Sequence, residues 1–194
     1  MIKRKWPYVA LALVVAEILL MIVSWVWSAA MPFSGVRSLL SGEGVRWLVG
    51  QMPAMLARKE LAWLLLLTMA WGTVQRSGII TRRLTYRASR ARWMTAIYVA
   101  IYLGVCVVLT CVPHAVLLSA TGSLWPSPFS ASVVPLLALG MLTAALLYGT
   151  VAGTMQTLSD FFDSLTDGIS TAAPLLVLYL VTAQFCLSLW FVLN

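Results

Sequence analysis

The sequence predicts an all-α, polytopic membrane protein with five transmembrane helices and two short amphipathic surface helices. Two features of composition support this fold class: 61% of the 194 residues are hydrophobic and only 10% are charged. Soluble domains carry about 25% charged residues, and a chain of this length could not bury so much apolar surface in its own interior. The third feature is a series of apolar runs of about 20 residues, the length that crosses a bilayer as a helix.

The apolar runs define five predicted spans, which together form one transmembrane domain over residues 1–194. The spans comprise residues 7–30, 60–80, 93–112, 132–154 and 171–193. The basic residues at positions 3–5 resemble the start of a signal peptide. The apolar run that follows them is longer than that of a signal peptide, and further spans come after it, so we interpret it as a retained helix.

The distribution of lysine and arginine predicts the orientation in the membrane. With five spans, nine of the thirteen basic residues lie on one side, at positions 3–5 and 76–92, and four lie in the loop after the first span. Cytoplasmic loops are enriched in Lys and Arg. We therefore expect a bacterial inner-membrane protein with a cytoplasmic amino terminus and an external carboxyl terminus.

The arginines at 76–92 could also bind anionic lipid or nucleic acid, but we interpret them as topology determinants and expect no nucleic acid partner.

Two connections are predicted to form helices along the membrane surface. Ser41 can cap a helix that begins at about Gly42 and ends at Pro53. Its apolar face would comprise Val45, Leu48, Val49 and Met52, at helical spacing. Residues 155–170 combine an apolar stripe with three aspartates, which predicts a second surface helix on the inner side.

Glu17 is the clear ionisable residue within a predicted span, and burial of a carboxylate in lipid is costly. It could form an ion or proton site. It could instead be a protonated or hydrogen-bonded carboxyl that faces another helix, for example Thr68 or Thr73. We favour the second interpretation because no other charge within a span can pair with Glu17.

The sequence offers no catalytic or metal-binding constellation. Its one histidine, His114, is expected at an interface with water, and Cys106, Cys111 and Cys186 are not spaced as metal ligands. No nucleophile has a plausible base near it in the sequence, so we predict no enzyme, no metal and no cofactor, and a membrane enzyme is the least favoured function.

Gly149 and Gly153 form a small-xxx-small motif, which indicates close helix packing within the chain or across a dimer.

Five segments, in collinear order, resemble segments of a known family of membrane proteins. They are VRSLLSGEGVRWL (36–48), QRSGII (75–80), TGSLWPSPFSASVVPLL (121–137), LLYGTVAGT (146–154) and PLLVLYLVTAQF (174–185). The family is that of the p-aminobenzoyl-glutamate transporters, the AbgT family. The positions that match its motifs, to which we assign structural roles, are Ser41, Gly42, Glu43, Gly44, Arg46, Trp47, Ser127, Pro128, Tyr148, Gly149 and Gly153.

The resemblance implies a membrane transport protein, but it also reveals a departure from the family pattern. Family members are more than twice this length and have two inverted halves, each with a re-entrant hairpin and a broken helix that carry substrate and sodium. Between Ile80 and Trp93, and after the fifth span, the resemblance leads us to expect no counterparts of those elements in this chain. We therefore expect a scaffold or dimerisation part, or a subunit, that does not transport alone. Its partners would be the lipid bilayer and either a second copy or a separate chain that supplies the transport elements.

The alternative is a complete small secondary transporter of p-aminobenzoyl-glutamate or a related anion. No position of this chain matches the family's substrate-binding residues, so none is assigned.

Overall fold

The computed structural model describes residues 5–31, 33, 35–80, 86–111 and 128–193. Within these ranges the chain forms six α-helices and no strand, which confirms the predicted all-α class. The helices are α1 (Trp6–Ala30), α2 (Gly42–Leu56), α3 (Lys59–Ser77), α4 (Tyr86–Cys111), α5 (Pro128–Ala152) and α6 (Leu158–Leu193).

Four helices of the described chain, α1, α4, α5 and α6, are long and apolar enough to cross a membrane. The predicted second span corresponds to α3, which ends at Ser77 and is followed by Gly78 with a positive φ of 76°. The apolar stretch of α3, residues 61–74, covers only about 21 Å at 1.5 Å per residue. That is shorter than a typical hydrocarbon core of about 30 Å. Five spans therefore stay a prediction.

The chain divides into two compact units. Unit 1 comprises Met1–Ala62 and Ala173–Asn194, and unit 2 comprises Trp63–Ala172. Unit 1 thus contains α1, α2 and the last part of α6, whereas unit 2 contains most of α3, all of α4 and α5, and the first part of α6.

Helix α2 begins where the sequence predicts it, because its cap is local. The Ser41 hydroxyl accepts a hydrogen bond from the Gly44 N–H at 3.0 Å and donates one to the Ser38 carbonyl at 2.7 Å. The predicted end at Pro53 is wrong, since α2 continues to Leu56. A proline removes only one helical hydrogen bond, and the further turn places Met55, only 7% exposed, in the interior of unit 1.

The core of unit 1 forms where the loop before α2 meets the end of α6. Leu39, Phe191 and Val192 are buried there, and the Trp47 ring stacks on Phe191 with 4.5 Å between ring centroids. Two backbone contacts hold the loop. The Arg37 N–H donates to the Val192 carbonyl at 3.3 Å, and the Leu39 N–H donates to the Ser24 hydroxyl of α1 at 3.3 Å.

In unit 2, small residues bring the backbones of α3 and α6 into direct contact. A Cβ atom at Gly72 would overlap with the Ser164 carbonyl and with the backbone of Gly168. A Cβ atom at Gly168 would overlap with the Thr68 carbonyl. The Ser164 side chain beside them is fully buried. Glycine permits such a close crossing because it has no side chain.

Helices α4 and α5 of unit 2 pack through aromatic and small side chains. The Tyr98 hydroxyl donates to Thr143 Oγ1 at 2.8 Å, and the Tyr102 hydroxyl donates to the Leu136 carbonyl at 2.7 Å. Tyr148 is fully buried between α4 and α5 side chains that include Ala91.

The end of α5 corrects the interpretation of the Gly149–Gly153 motif. Gly153 lies after the helix, has a positive φ of 75°, and donates its N–H to the Thr150 carbonyl at 3.2 Å. The Thr154 N–H donates to the Gly149 carbonyl at 2.8 Å. This pair of bonds is a Schellman motif, in which glycine ends a helix. The two glycines therefore do not form a small-xxx-small face on one helix.

The predicted second surface helix and the predicted fifth span are one continuous helix, α6, of 36 residues. Its start is a capping box: the Asp160 N–H donates to Thr157 Oγ1 at 3.1 Å, and the Thr157 N–H donates to Asp160 Oδ2 at 3.0 Å. Pro174 lies inside α6 and does not end it. At about 54 Å, α6 is longer than a bilayer is thick, so we expect its aspartate-bearing first turns to lie outside the hydrocarbon.

Candidate functional site

Glu17 belongs to a polar cluster that joins α1 to α6 within unit 1. Its Oε1 accepts a hydrogen bond from the Ser188 hydroxyl at 2.5 Å, and Gln184 Nε2 donates to the same hydroxyl oxygen at 3.3 Å. Gln184 and Ser188 are four residues apart and so lie on one face of α6. We call these three residues the Glu17 cluster.

The partner of Glu17 differs from those that the sequence analysis named. Thr68 donates its hydroxyl to the Leu65 carbonyl at 2.8 Å, and Thr73 donates to the Ala70 carbonyl at 2.7 Å. Both threonines therefore bond to the backbone of their own helix, α3. In apolar helices a Ser or Thr hydroxyl commonly bonds to a backbone carbonyl of its own helix. The presence of a threonine in a span is therefore weak evidence that it bonds to a carboxyl on another helix.

The Glu17 cluster contains two polar atoms without a partner. Glu17 Oε2 and Gln184 Oε1 are buried, and neither has a hydrogen bond within the part of the chain that the structure describes. A buried acceptor left unpaired costs about 1–3 kcal/mol. Each of these two oxygens can accept a further hydrogen bond from a donor that reaches it.

Two members of the Glu17 cluster, Glu17 and Gln184, line a cavity of about 400 Å³. Glu17 and Gln184 are the polar residues of its lining. Apolar side chains of α1, α2 and α6 complete the wall: Val14, Ile18, Met52, Met55, Leu56, Leu180 and Val181. An apolar wall lowers the local dielectric constant and so strengthens any interaction of the carboxyl.

The positions that match the family motifs lie in two places. Ser41, Gly42, Glu43, Gly44, Arg46 and Trp47 form the first turns of α2 in unit 1 and the residue that caps them, whereas Tyr148, Gly149 and Gly153 belong to α5 and its end in unit 2. Pro128 begins α5, and Ser127 lies outside the described residues.

Four of the motif positions, Gly44, Trp47, Tyr148 and Gly153, have a structural reason in the packing or backbone of the chain. A Cβ at Gly44 would lie 2.5 Å from the carbonyl oxygens of Ser38 and Leu39, so the loop before α2 requires glycine there. Trp47 stacks on Phe191, Tyr148 fills the core of unit 2, and Gly153 ends α5. A Cβ at Gly42 would meet no atom within 4 Å. Glu43 and Arg46 are exposed and line a second cavity of unit 1, of about 530 Å³.

One arginine of the basic cluster pairs with the aspartate face of α6. Arg76 lies 2.7 Å from Asp167 and 3.5 Å from Asp163, with all three side chains at least 36% exposed. On the same face, hydrogen bonds from the backbone N–H of Gln156 and from Thr157 lower the pKa of Asp160. His114, Arg82 and Arg83 lie outside the described residues.

Comparison with known proteins identifies the family. The AbgT putative transporter family matches residues 83–191, which is more than half of the chain. No curated protein matches significantly. The fold is similar to the crystal structure of the Alcanivorax borkumensis YdaH transporter, with a TM-score of 0.72 and 16% identity over 95% of this chain and 70% of that chain. That transporter is described as having an unusual topology. On the extent of the family match, the chain belongs to the AbgT putative transporter family.

Proposed function

We propose that this chain is the helical scaffold of an AbgT-type transport system and does not move substrate by itself. The observation that carries the proposal is the continuity of its helices. Each of α1, α4, α5 and α6 runs without a break for at least 25 residues. In many secondary transporters, discontinuous helices form the substrate and ion sites, and among the described residues no membrane-length helix is interrupted.

The packing of unit 2 is consistent with a static role. The backbone contact between Gly72 and Gly168 and the ion pairs of Arg76 both join α3 to α6. The Thr154 hydroxyl also donates to the Ser77 carbonyl at 3.0 Å, which joins the connection after α5 to the end of α3. Sliding of these elements would require backbone atoms in contact to separate.

A scaffold of this kind requires a partner, either a second copy or a chain that supplies the transport elements. Exposed apolar side chains cover much of α1 and α4, including Leu11 at 60% and Ile101 at 62% exposure. Lipid or a partner helix would cover these faces. We further propose that the protein lies in the inner membrane with its amino terminus in the cytoplasm, as the excess of basic residues before α4 indicates.

The test is uptake by the purified chain in liposomes, with labelled p-aminobenzoyl-glutamate and an imposed sodium or proton gradient. We expect no more uptake than in empty liposomes. A full-length family member in the same preparation controls for the gradient. Gradient-driven uptake by this chain alone would contradict the proposal. Native mass spectrometry of the same sample should show a homodimer or a stoichiometric second membrane chain.

A second candidate is a complete small secondary transporter of p-aminobenzoyl-glutamate or a related anion, with Glu17 as its ion or proton site. The observation that favours it is the buried Glu17 Oε2, which has no hydrogen-bond partner among the described residues, at a residue that lines the cavity. For this candidate, Glu17→Gln should abolish gradient-driven uptake, whereas Glu60→Gln, at the exposed start of α3, should leave it unchanged. Uptake that survives Glu17→Gln would exclude Glu17 as the coupling site.

A further inference from the structure

The second cavity of unit 1 has a lining that differs from that of the Glu17 cavity. It has a volume of about 530 Å³ and is lined by Arg37, Glu43, Arg46, Trp47, Trp190 and Phe191. Small-molecule sites commonly have volumes of about 300–1,000 Å³ and combine aromatic walls with a few polar groups. All six residues belong to unit 1. We call this cavity the arginine cavity.

The arginine cavity combines an arginine that lies over an aromatic ring, Arg37, with an exposed arginine on α2, Arg46. The Arg37 guanidinium lies 5.8 Å from the centroid of the Phe191 ring, and the Arg37 N–H is bonded to the Val192 carbonyl at 3.3 Å. Arg46 follows the capped first turn of α2 and precedes Trp47, which stacks on the same ring. Phe191 is only 4% exposed, and its ring contacts both Arg37 and Trp47.

The charge of the arginine cavity is not balanced. Arg37 and Arg46 contribute two positive charges and Glu43 one negative charge, so the lining has a net charge of +1. Among the described residues, neither Arg37 nor Arg46 forms an ion pair, although Glu43 lines the same cavity. Guanidinium groups bind carboxylates and phosphates through paired N–H donors, and such charged hydrogen bonds are the strong ones.

We propose that the arginine cavity binds a singly charged oxyanion, a phosphate diester or a carboxylate, whose apolar body lies against the tryptophan rings. Trp190 is 61% exposed and extends the lining towards the apolar surface of α6, where Leu193 is 66% exposed. An anionic phospholipid headgroup and a free organic acid share this chemistry. Glu43 opposes the anion and limits its charge to one unit, because a second negative charge would meet the Glu43 carboxylate. This proposal does not depend on whether the chain transports.

The test uses the full chain in mild detergent, with native mass spectrometry to measure binding of phosphatidylglycerol and, separately, of phosphatidylcholine. We expect phosphatidylglycerol to bind more tightly, and Arg37→Gln and Arg46→Gln each to weaken it about tenfold, as expected for loss of a charged hydrogen bond. Arg58→Gln removes an exposed arginine outside the cavity and should leave binding unchanged. Glu43→Gln should strengthen binding, a gain that structural damage could not produce.

Competition distinguishes the two sources of the anion. Displacement of phosphatidylglycerol by benzoate would support a site that takes free organic acids, and binding that resists benzoate would support a headgroup site. The proposal is overturned if wild-type protein does not prefer phosphatidylglycerol, if the three arginine variants bind equally well, or if Glu43→Gln weakens binding. Circular dichroism of each variant confirms that the helices are retained.

Discussion

Replacement of Gly72 by alanine should force apart two helices whose backbones are in contact. A Cβ atom at Gly72 would lie 2.5 Å from Gly168 Cα and 2.6 Å from Gly168 N. Ordinary contacts of a Cβ begin at 3.4 Å, so α3 and α6 must separate by about 0.9 Å at this point. The obstacle is backbone, which cannot rotate away as a side chain could.

The magnitude follows from two opposing effects. Overpacking of a close contact costs about 1–3 kcal/mol, and the rigid obstacle here favours the upper end of that range. Alanine is the better helix former and returns about 0.5–1 kcal/mol. The net loss should be about 2 kcal/mol. For a chain of this size, this corresponds to a fall in Tm of about 4–8 °C.

The assay is thermal unfolding in mild detergent, followed by circular dichroism of the helices. Gly104→Ala is the matched control, because Gly104 lies within α4 and a Cβ there would meet no atom within 4 Å. We expect the control to unfold at the wild-type temperature or slightly above it. If Gly72→Ala and Gly104→Ala unfold at the same temperature, the close contact of α3 and α6 is refuted.

Three further predictions use the same unfolding measurement. Ser188→Ala should destabilise the protein by about 1–3 kcal/mol because Glu17 Oε1 loses its hydrogen-bond donor. Ser170 is exposed on the same helix, so Ser170→Ala should have no effect. Equal stabilities of the two variants would contradict a stabilising bond from Ser188 to Glu17. Gly153→Ala should lower the stability by about 1–2 kcal/mol because Gly153 has a positive φ. Gly153→Asn should lower it less, since asparagine tolerates this conformation. A larger loss of stability for asparagine than for alanine would count against the Schellman motif. Arg76→Gln should cost at most about 1 kcal/mol because its ion pairs are exposed, and the difference from wild type should shrink at high salt; a loss that does not respond to salt would disprove an ion-pair origin.

The features that the sequence predicts well are those with a local cause. The all-α class follows from apolar runs alone, and the start of α2 follows from one serine side chain placed three residues before the N–H that it accepts. The sequence predicts two helices in place of the continuous α6, because residues 155–170 combine an apolar stripe with three aspartates whereas residues 171–193 are apolar. In the structure, Pro174 lies inside the helix and the capping box fixes its start sixteen residues earlier, at Leu158.

The candidate sites could be predicted only in part. Glu17 stands out because it is charged within an apolar run, but nothing in the sequence distinguishes Ser188 from the other hydroxyl residues of the spans. The two residues are 171 positions apart. The arginine cavity was missed for the same reason, since Arg37 and Arg46 are close to each other in sequence whereas Phe191, which lines the same cavity, comes from the last turn of α6.

The separation of Glu17 from Ser188 has a consequence for biogenesis. A ribosome adds about 5–20 residues per second, so Glu17 is made about 10–35 s before the hydroxyl that completes its hydrogen bond, 171 residues later. During that interval α1 has left the ribosome with a carboxyl that no residue of the finished cluster can yet satisfy. Until α6 is made, the Glu17 carboxyl therefore depends on water or on other groups for its hydrogen bonds, so the polar cluster of unit 1 can form only late in synthesis.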